Sequence, residues 1–186
     1  MPREPVQDDL PAGALLLGGV RFFRVEGLPD GDAVARLDEL HAQRAVAEGV
    51  FDLDDLKYRT DELADFVAAA AEHYGFDANQ LLAVGYSNGA NIAASMLLLR
   101  PEVLPNAILF RPMVPLHPAK EPNLSSVRVW IGAGTNDPII PMSETNALAE
   151  LLRNAGAEVT IRYFQAGHDL TSQDLEAARD WLALLC

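Results

Sequence analysis

The sequence predicts an α/β fold, a mostly parallel sheet with helices on both faces, and three observations carry that expectation. From Leu81 onward, short apolar runs of strand character alternate with longer stretches of helical period, the βαβ rhythm that lays parallel strands between layers of helix. Gly85-Tyr86-Ser87-Asn88-Gly89 joins one such run to one such stretch. In this G-x-S-x-G pattern the glycines permit the strained turn and close helix-on-strand packing that raise a serine at the edge of a sheet. A length of 186 residues buries one continuous core without staples, so residues 1–186 are read as a single domain.

In chain order, the apolar run 14–20 is read as a strand. Residues 21–26 are aromatic and extended, and Gly27-Leu28-Pro29-Asp30-Gly31 then turns the chain. A helix is expected over 32–48, where Val34, Leu37, Leu40, Ala45 and Val46 recur near helical spacing before Gly49. A second helix starts at Asp52 or Asp54 and continues to His73, with Leu56, Leu63, Phe66, Val67 and Ala70 on one face and Gly75 as its stop. Asp52, Asp54 and Asp55 complement its dipole. The strand 81–84 leads into the serine turn and a helix over 90–99. Beyond it, strands are expected over 107–110, 127–131 and 159–164, helices over 143–154 and 172–185, and a proline-rich surface loop over 112–122.

Composition excludes several classes of function. Fourteen basic against 27 acidic side chains give a net charge of −13, which opposes nucleic acid and anionic membrane surfaces. Cys186 is the only cysteine, leaving no disulfide framework and no thiol cluster, so a reducing, cytoplasmic setting is expected. The run 14–20 is too short to cross a bilayer and follows acidic residues where a signal peptide carries basic ones. His41, His73, His117 and His168 have no metal-binding spacing, and neither a metal nor another cofactor is expected.

A serine hydroxyl is a weak nucleophile until a base removes its proton. In this architecture the partners follow in the order Ser, acid, His, each on a loop after a later strand. Asp137 meets that requirement in Gly132-Ala133-Gly134-Thr135-Asn136-Asp137-Pro138, and His168 meets it in Ala166-Gly167-His168-Asp169. Imidazole exchanges protons near neutral pH, and a carboxylate on its other nitrogen fixes the tautomer. The backbone N–H of Asn88, next after Ser87, is the expected oxyanion donor. Competing readings make Ser87 a helix cap, Asp137 an ordinary turn residue and His168 a plain loop histidine. Asp169, Thr171 and Ser172 compete to cap the last helix.

From about residue 48 to the C-terminus the chain resembles the phospholipase/carboxylesterase branch of the α/β-hydrolase superfamily, and within it bacterial carboxylesterases associated with hydroquinone and quinone stress. The matching pieces are Glu48-Gly49-Val50-Phe51-Asp52, Arg59-Thr60-Asp61-Glu62-Leu63, Gly85-Tyr86-Ser87-Asn88-Gly89-Ala90-Asn91-Ile92-Ala93, Arg111-Pro112-Met113-Val114-Pro115, Ala133-Gly134-Thr135-Asn136-Asp137-Pro138-Ile139 and Gly167-His168-Asp169-Leu170-Thr171. The resemblance implies a three-layer α/β-hydrolase fold and a Ser87, Asp137, His168 triad. It also implies an oxyanion donor at Asn88 and pocket-bordering loops at Met113 and Ile139. The amino-terminal part is atypical. Relatives open with a strand ending in His-Gly-x-Gly-Gly, whose loop gives the second oxyanion donor, and this motif is missing from the sequence. Ala14-Leu15-Leu16-Leu17-Gly18-Gly19 is the expected substitute, offering the N–H of Gly18 or Gly19. Losing a core-covering strand exposes a sheet edge, for which a homodimer is one remedy.

The leading expectation is a serine carboxylesterase acting on a small-molecule ester, short-chain or aromatic, through an acyl-enzyme. The alternative is a weakly active or inactive hydrolase-fold scaffold lacking the usual oxyanion loop. A thioesterase or dienelactone-type hydrolase is a third reading with the same mechanism and a different pocket.

Overall fold

In the computed structural model the described residues are 52–185, preceded by the backbone of four short strands: β1 (Ala14–Leu17), β2 (Val20–Arg24), β3 (Ala45–Ala47) and β4 (Val50–Phe51). The expected strand over 14–20 is thus two, with β1 antiparallel to β2. Of the helix expected over 32–48, residues 32–44 lie outside the described residues, and its last part is corrected. Ala45–Ala47 is a strand paired antiparallel with β4, because a short apolar run such as Ala45-Val46-Ala47 fits either period and pairing decides.

Helix α1 (Leu53–Tyr74) begins where the Asp52 carboxylate accepts from the amides of Asp54 and Asp55, and ends at Gly75, whose φ of 67° is the left-handed closure that glycine adopts without strain. Its buried face is Leu56, Thr60, Leu63, Ala64, Val67 and Ala70. Strand β5 (Leu81–Tyr86) leads to α2 (Asn88–Leu99), which is buried nearly all round, from Gly89 to Leu98. It is mostly apolar because it lies between the sheet and α1, and its buried Asn91 and Ser95 side chains are hydrogen-bonded. Strands β6 (Asn106–Phe110), β7 (Arg128–Gly134) and β8 (Glu158–Phe164), with helices α3 (Met142–Asn154) and α4 (Ser172–Leu182), complete the alternation.

The sheet order is β1-β2-β5-β6-β7-β8. Strands β5 to β8 are parallel neighbours, whereas β2 runs antiparallel to β5 with Val20 opposite Gly85. One sheet face packs Ala83, Leu109, Val129 and Ile131 against α1, α2 and α3. The other packs Leu82, Ile108, Phe110 and Trp130 against Ala178 and Trp181 of α4. Each large side chain so enclosed contributes about 1.5–3 kcal/mol. The loop over 112–122 departs from a purely surface loop, because Pro112, Pro115 and Leu116 are buried. Parallel strands bring their carboxyl ends to one rim, and that rim carries the loops beginning at Ser87, Arg111, Thr135 and Gln165.

Candidate active site

Ser87 sits on the turn between β5 and α2 with φ 53° and ψ −116°, a conformation that costs a non-glycine residue roughly 1–3 kcal/mol. Close packing holds it there. A Cβ on Gly85 would lie 2.5 Å from the backbone of Gly89, so the strand and the first turn of α2 meet with no room for a side chain. Although Ser87 occupies the cap position, its side chain makes no capping hydrogen bond. Its Oγ lies 3.0 Å from Nε2 of His168.

His168 lies in the loop between β8 and α4, and its Nδ1 is 2.8 Å from Oδ2 of Asp137. The Asp137 side chain is 1% exposed and that of His168 is 16% exposed. Oδ1 of Asp137 accepts from the amides of Ile139 (2.8 Å) and Ile140 (3.0 Å). Burial alone would raise the Asp137 carboxyl, but these two amides and His168 outweigh it and hold the group below the ordinary carboxylate range. An ionised carboxylate only accepts, so Nδ1 carries the hydrogen and Nε2 is left to accept from the Ser87 hydroxyl. Asp137 is at once a turn residue and the partner of His168. The three residues stand on the loops that follow β5, β7 and β8.

Around this line of three, Tyr86 packs its ring 5.4 Å from that of His168 and donates its hydroxyl to the His168 carbonyl. Burial, reinforced by Asp169, pushes the Tyr86 hydroxyl up, so it stays a donor. Met113 is half-buried, and its amide donates to Oδ1 of Asn91. Pro112 accepts from Thr145 of α3. The loop that holds Met113 is therefore tied to two helices. Ile139 is exposed beside Asp137, its amide committed to that carboxylate. Asn88 opens α2, and its N–H is among the first-turn amides that a helix leaves without an internal partner. Gly18 lies outside the described residues. Thr171 caps α4 in a reciprocal box with Asp174, so Asp169 and Ser172 do not.

The sequence assigns no chemical role to three residues around the site, Tyr86, Arg111 and Asp174, although Tyr86 and Arg111 stand in pieces shared with the family. Arg111 and Asp174 form an ion pair with both side chains fully enclosed, at 2.7 and 3.0 Å. Burial would raise the Asp174 carboxyl, yet the Arg111 guanidinium and Thr171 hold it below its usual range. For the ion pair a further cue is positional: a cation directly after the apolar strand Asn106–Phe110, and a T-x-x-D cap 60 residues further on from Arg111 to Thr171.

A family model for phospholipase/carboxylesterase matches residues 51–186. The chain belongs to the phospholipase/carboxylesterase family. A Bacillus subtilis member named "Putative hydrolase MhqD" is 45% identical over 138 residues, covering 74% of this chain and 69% of that one. The crystal structure of a Bacillus cereus carboxylesterase matches with a TM-score of 0.74 and 47% identity, over 76% of this chain and 66% of that one. A carboxylesterase from Mesorhizobium loti matches with a TM-score of 0.73 and 32% identity, over 81% and 72%. The chain thus spans about two thirds of the length of these family members. Membership gives it the α/β-hydrolase fold and makes it an esterase-type hydrolase. Among the described residues no helix is long and apolar enough to cross a membrane.

Proposed function

We propose that this family member is a serine carboxylesterase that hydrolyses short-chain or aromatic esters through an acyl-enzyme. The observation that carries the reading is the unbroken hydrogen-bonded line from Asp137 through His168 to Ser87. As Ser87 Oγ attacks the ester carbonyl, His168 Nε2 takes its proton, and the amide of Asn88 meets the oxyanion of the tetrahedral intermediate. Collapse breaks the ester C–O bond. The proton on Nε2 goes to the departing alcohol and the acyl group stays on Ser87. Water, giving a proton to the same nitrogen, then attacks the acyl carbonyl; collapse breaks the bond to Ser87 Oγ, Nε2 returns the proton to that oxygen, and the acid is released. Asp137 keeps Nδ1 protonated throughout. No step needs a cofactor.

The substrate class rests on the family resemblance, in which the loops of Met113 and Ile139 border the pocket, and the net charge of −13 disfavours anionic esters. Gly18 is the proposed second oxyanion donor, and working with one donor instead of two lowers turnover by roughly 10²–10³. The lone cysteine supports a reducing cytoplasmic setting. The test is hydrolysis of p-nitrophenyl acetate and butyrate near pH 8 by the wild type beside Ser87→Ala. Turnover by the wild type with the variant at background supports the reading. Equal inertness of two folded proteins refutes it and favours a scaffold without catalysis.

A further inference from the structure

Arg111 is a full charge for which the ester chemistry above has no step. It lies one residue beyond β6, its side chain is fully enclosed, and all five of its N–H donors are engaged. Two go to the Asp174 carboxylate, and the others go to the carbonyls of Gly132 (3.2 Å), Gly167 (3.1 Å) and Asp169 (3.0 Å). Gly167 and Asp169 are the residues on either side of His168. Neutralising Asp174 would need only two of these donors.

The backbone supplies a second observation. Among the described residues only Ser87 and Arg111 are non-glycine residues with positive φ, 53° and 52°. They are neighbours: Tyr86 and Phe110 pair in register, and the Ser87 amide donates to the Phe110 carbonyl. Glycine adopts that φ freely, so a requirement on the backbone alone would be met by glycine. A strained arginine at that position points to its side chain, and strain of this kind gathers at functional sites. The Asp174 carboxylate that grips the guanidinium also accepts from the amide and hydroxyl of Thr171, so the start of α4, Arg111 and the His168 loop form one hydrogen-bonded body. Gly134 packs against it, leaving a Cβ no space before the carbonyl of Gly167.

We propose that Arg111 is a positioning residue for His168: clamped by Asp174, its guanidinium holds the carbonyls that flank His168 and so sets Nε2 against the Ser87 hydroxyl. The proposal rests on the serine esterase reading for its consequence on rate. Two variants test it. Arg111→Lys keeps a cation opposite Asp174, but an ammonium cannot reach the carbonyls of Gly167 and Asp169 together. Arg111→Met combined with Asp174→Leu removes both charges and keeps the enclosed space filled, the kind of exchange that buried ion pairs tolerate. Folding is checked by circular dichroism and thermal melting.

Two readouts follow in whichever variant is folded: kcat and KM with p-nitrophenyl acetate, and the low-field proton resonance of the hydrogen between His168 Nδ1 and Asp137, which needs no turnover. The expected result is a kcat lower by roughly tenfold to a hundredfold, with KM within about twofold and the resonance broadened or lost. Wild-type kcat with an unchanged resonance overturns the proposal, as does a raised KM with kcat intact. If neither variant folds, the role of Arg111 is in the fold and the proposal fails. A wild type that hydrolyses nothing refutes the esterase reading instead, while the resonance still decides whether Arg111 holds His168.

Discussion

Replacing Gly85 with alanine puts a methyl group where α2 already stands. The added Cβ would lie 2.5 Å from both the carbonyl carbon and oxygen of Gly89 and 2.6 Å from the nitrogen of Ala90, all of them backbone atoms that no rotamer change can move. Ordinary contact begins near 3.4 Å, so β5 and the first turn of α2 must part by about 0.9 Å, the gap between those two distances. Ser87 lies between them and moves by a comparable amount against its 3.0 Å partner on His168. A misplacement of about 1 Å costs on the order of a hundredfold in rate. The crowding itself costs about 1–3 kcal/mol, or roughly 2–12 °C in melting temperature for a chain of this size. The measurements are kcat/KM on p-nitrophenyl acetate and a calorimetric melt, with Gly167→Ala beside it. There the nearest atom, the Asn136 carbonyl oxygen, is 3.9 Å from the new Cβ, and stability should hold within about 0.5 kcal/mol. Wild-type rate and melting in Gly85→Ala, or equal damage from Gly167→Ala, would refute the argument from close approach.

Asp137→Asn should lower kcat by about 10⁴ while leaving KM near the wild-type value, because an amide no longer dictates the tautomer that lets Nε2 accept; steady-state kinetics read it directly. Asp174→Ala leaves the enclosed Arg111 charge without its counter-ion, and urea titration should give a loss of about 3–5 kcal/mol. Asp137 and Asp174 both titrate below the ordinary carboxylate range in the folded protein, so on acidification the unfolded chain takes up their protons first. The stability they contribute is whole above about pH 4 and is lost as the pH falls through their lower folded values. Melting temperature should therefore hold between about pH 7 and 5 and drop below about 4. In Asp174→Asn the drop should be shallower, and an unchanged slope would speak against that assignment.

From Leu81 onward the elements were legible because burial on alternate layers imposes clear periods. The misjudged ends have local causes. Strand β7 runs on to Gly134 although Gly132-Ala133-Gly134 has loop composition. The glycines are strand residues of close approach: a Cβ at Gly132 would meet the Trp130 ring at 2.8 Å, and both keep register with Phe110 and Phe164. Helix α4 stops at Leu182, short of the expected 185, where no glycine or proline marks an end. Ser87, Asp137 and His168 were readable because each stands in a short pattern at the end of a strand. Arg111 and Asp174 were not. They are 63 positions apart; Arg111 stands in a piece shared with the family, but no short pattern joins it to Asp174, and a charge pair in the interior is invisible to any reading based on apolar period.

The polarity of the parallel strands leaves the molecule with two unlike ends. Opposite the rim of Ser87, Asp137 and His168, the chain turns at Pro105, at Leu124 to Val127 and at Gly156, the Arg128 amide donating to Pro105 and that of Glu158 to Val127. Seven residues of β7 separate the two ends, a span of roughly 20 Å. Ser125 and Ser126 are exposed at the far end. A dye, a bead or a fused protein attached at Ser126 hangs from the back of the sheet, with the substrate mouth turned to the solution, so the protein can be immobilised or labelled with its serine in the open.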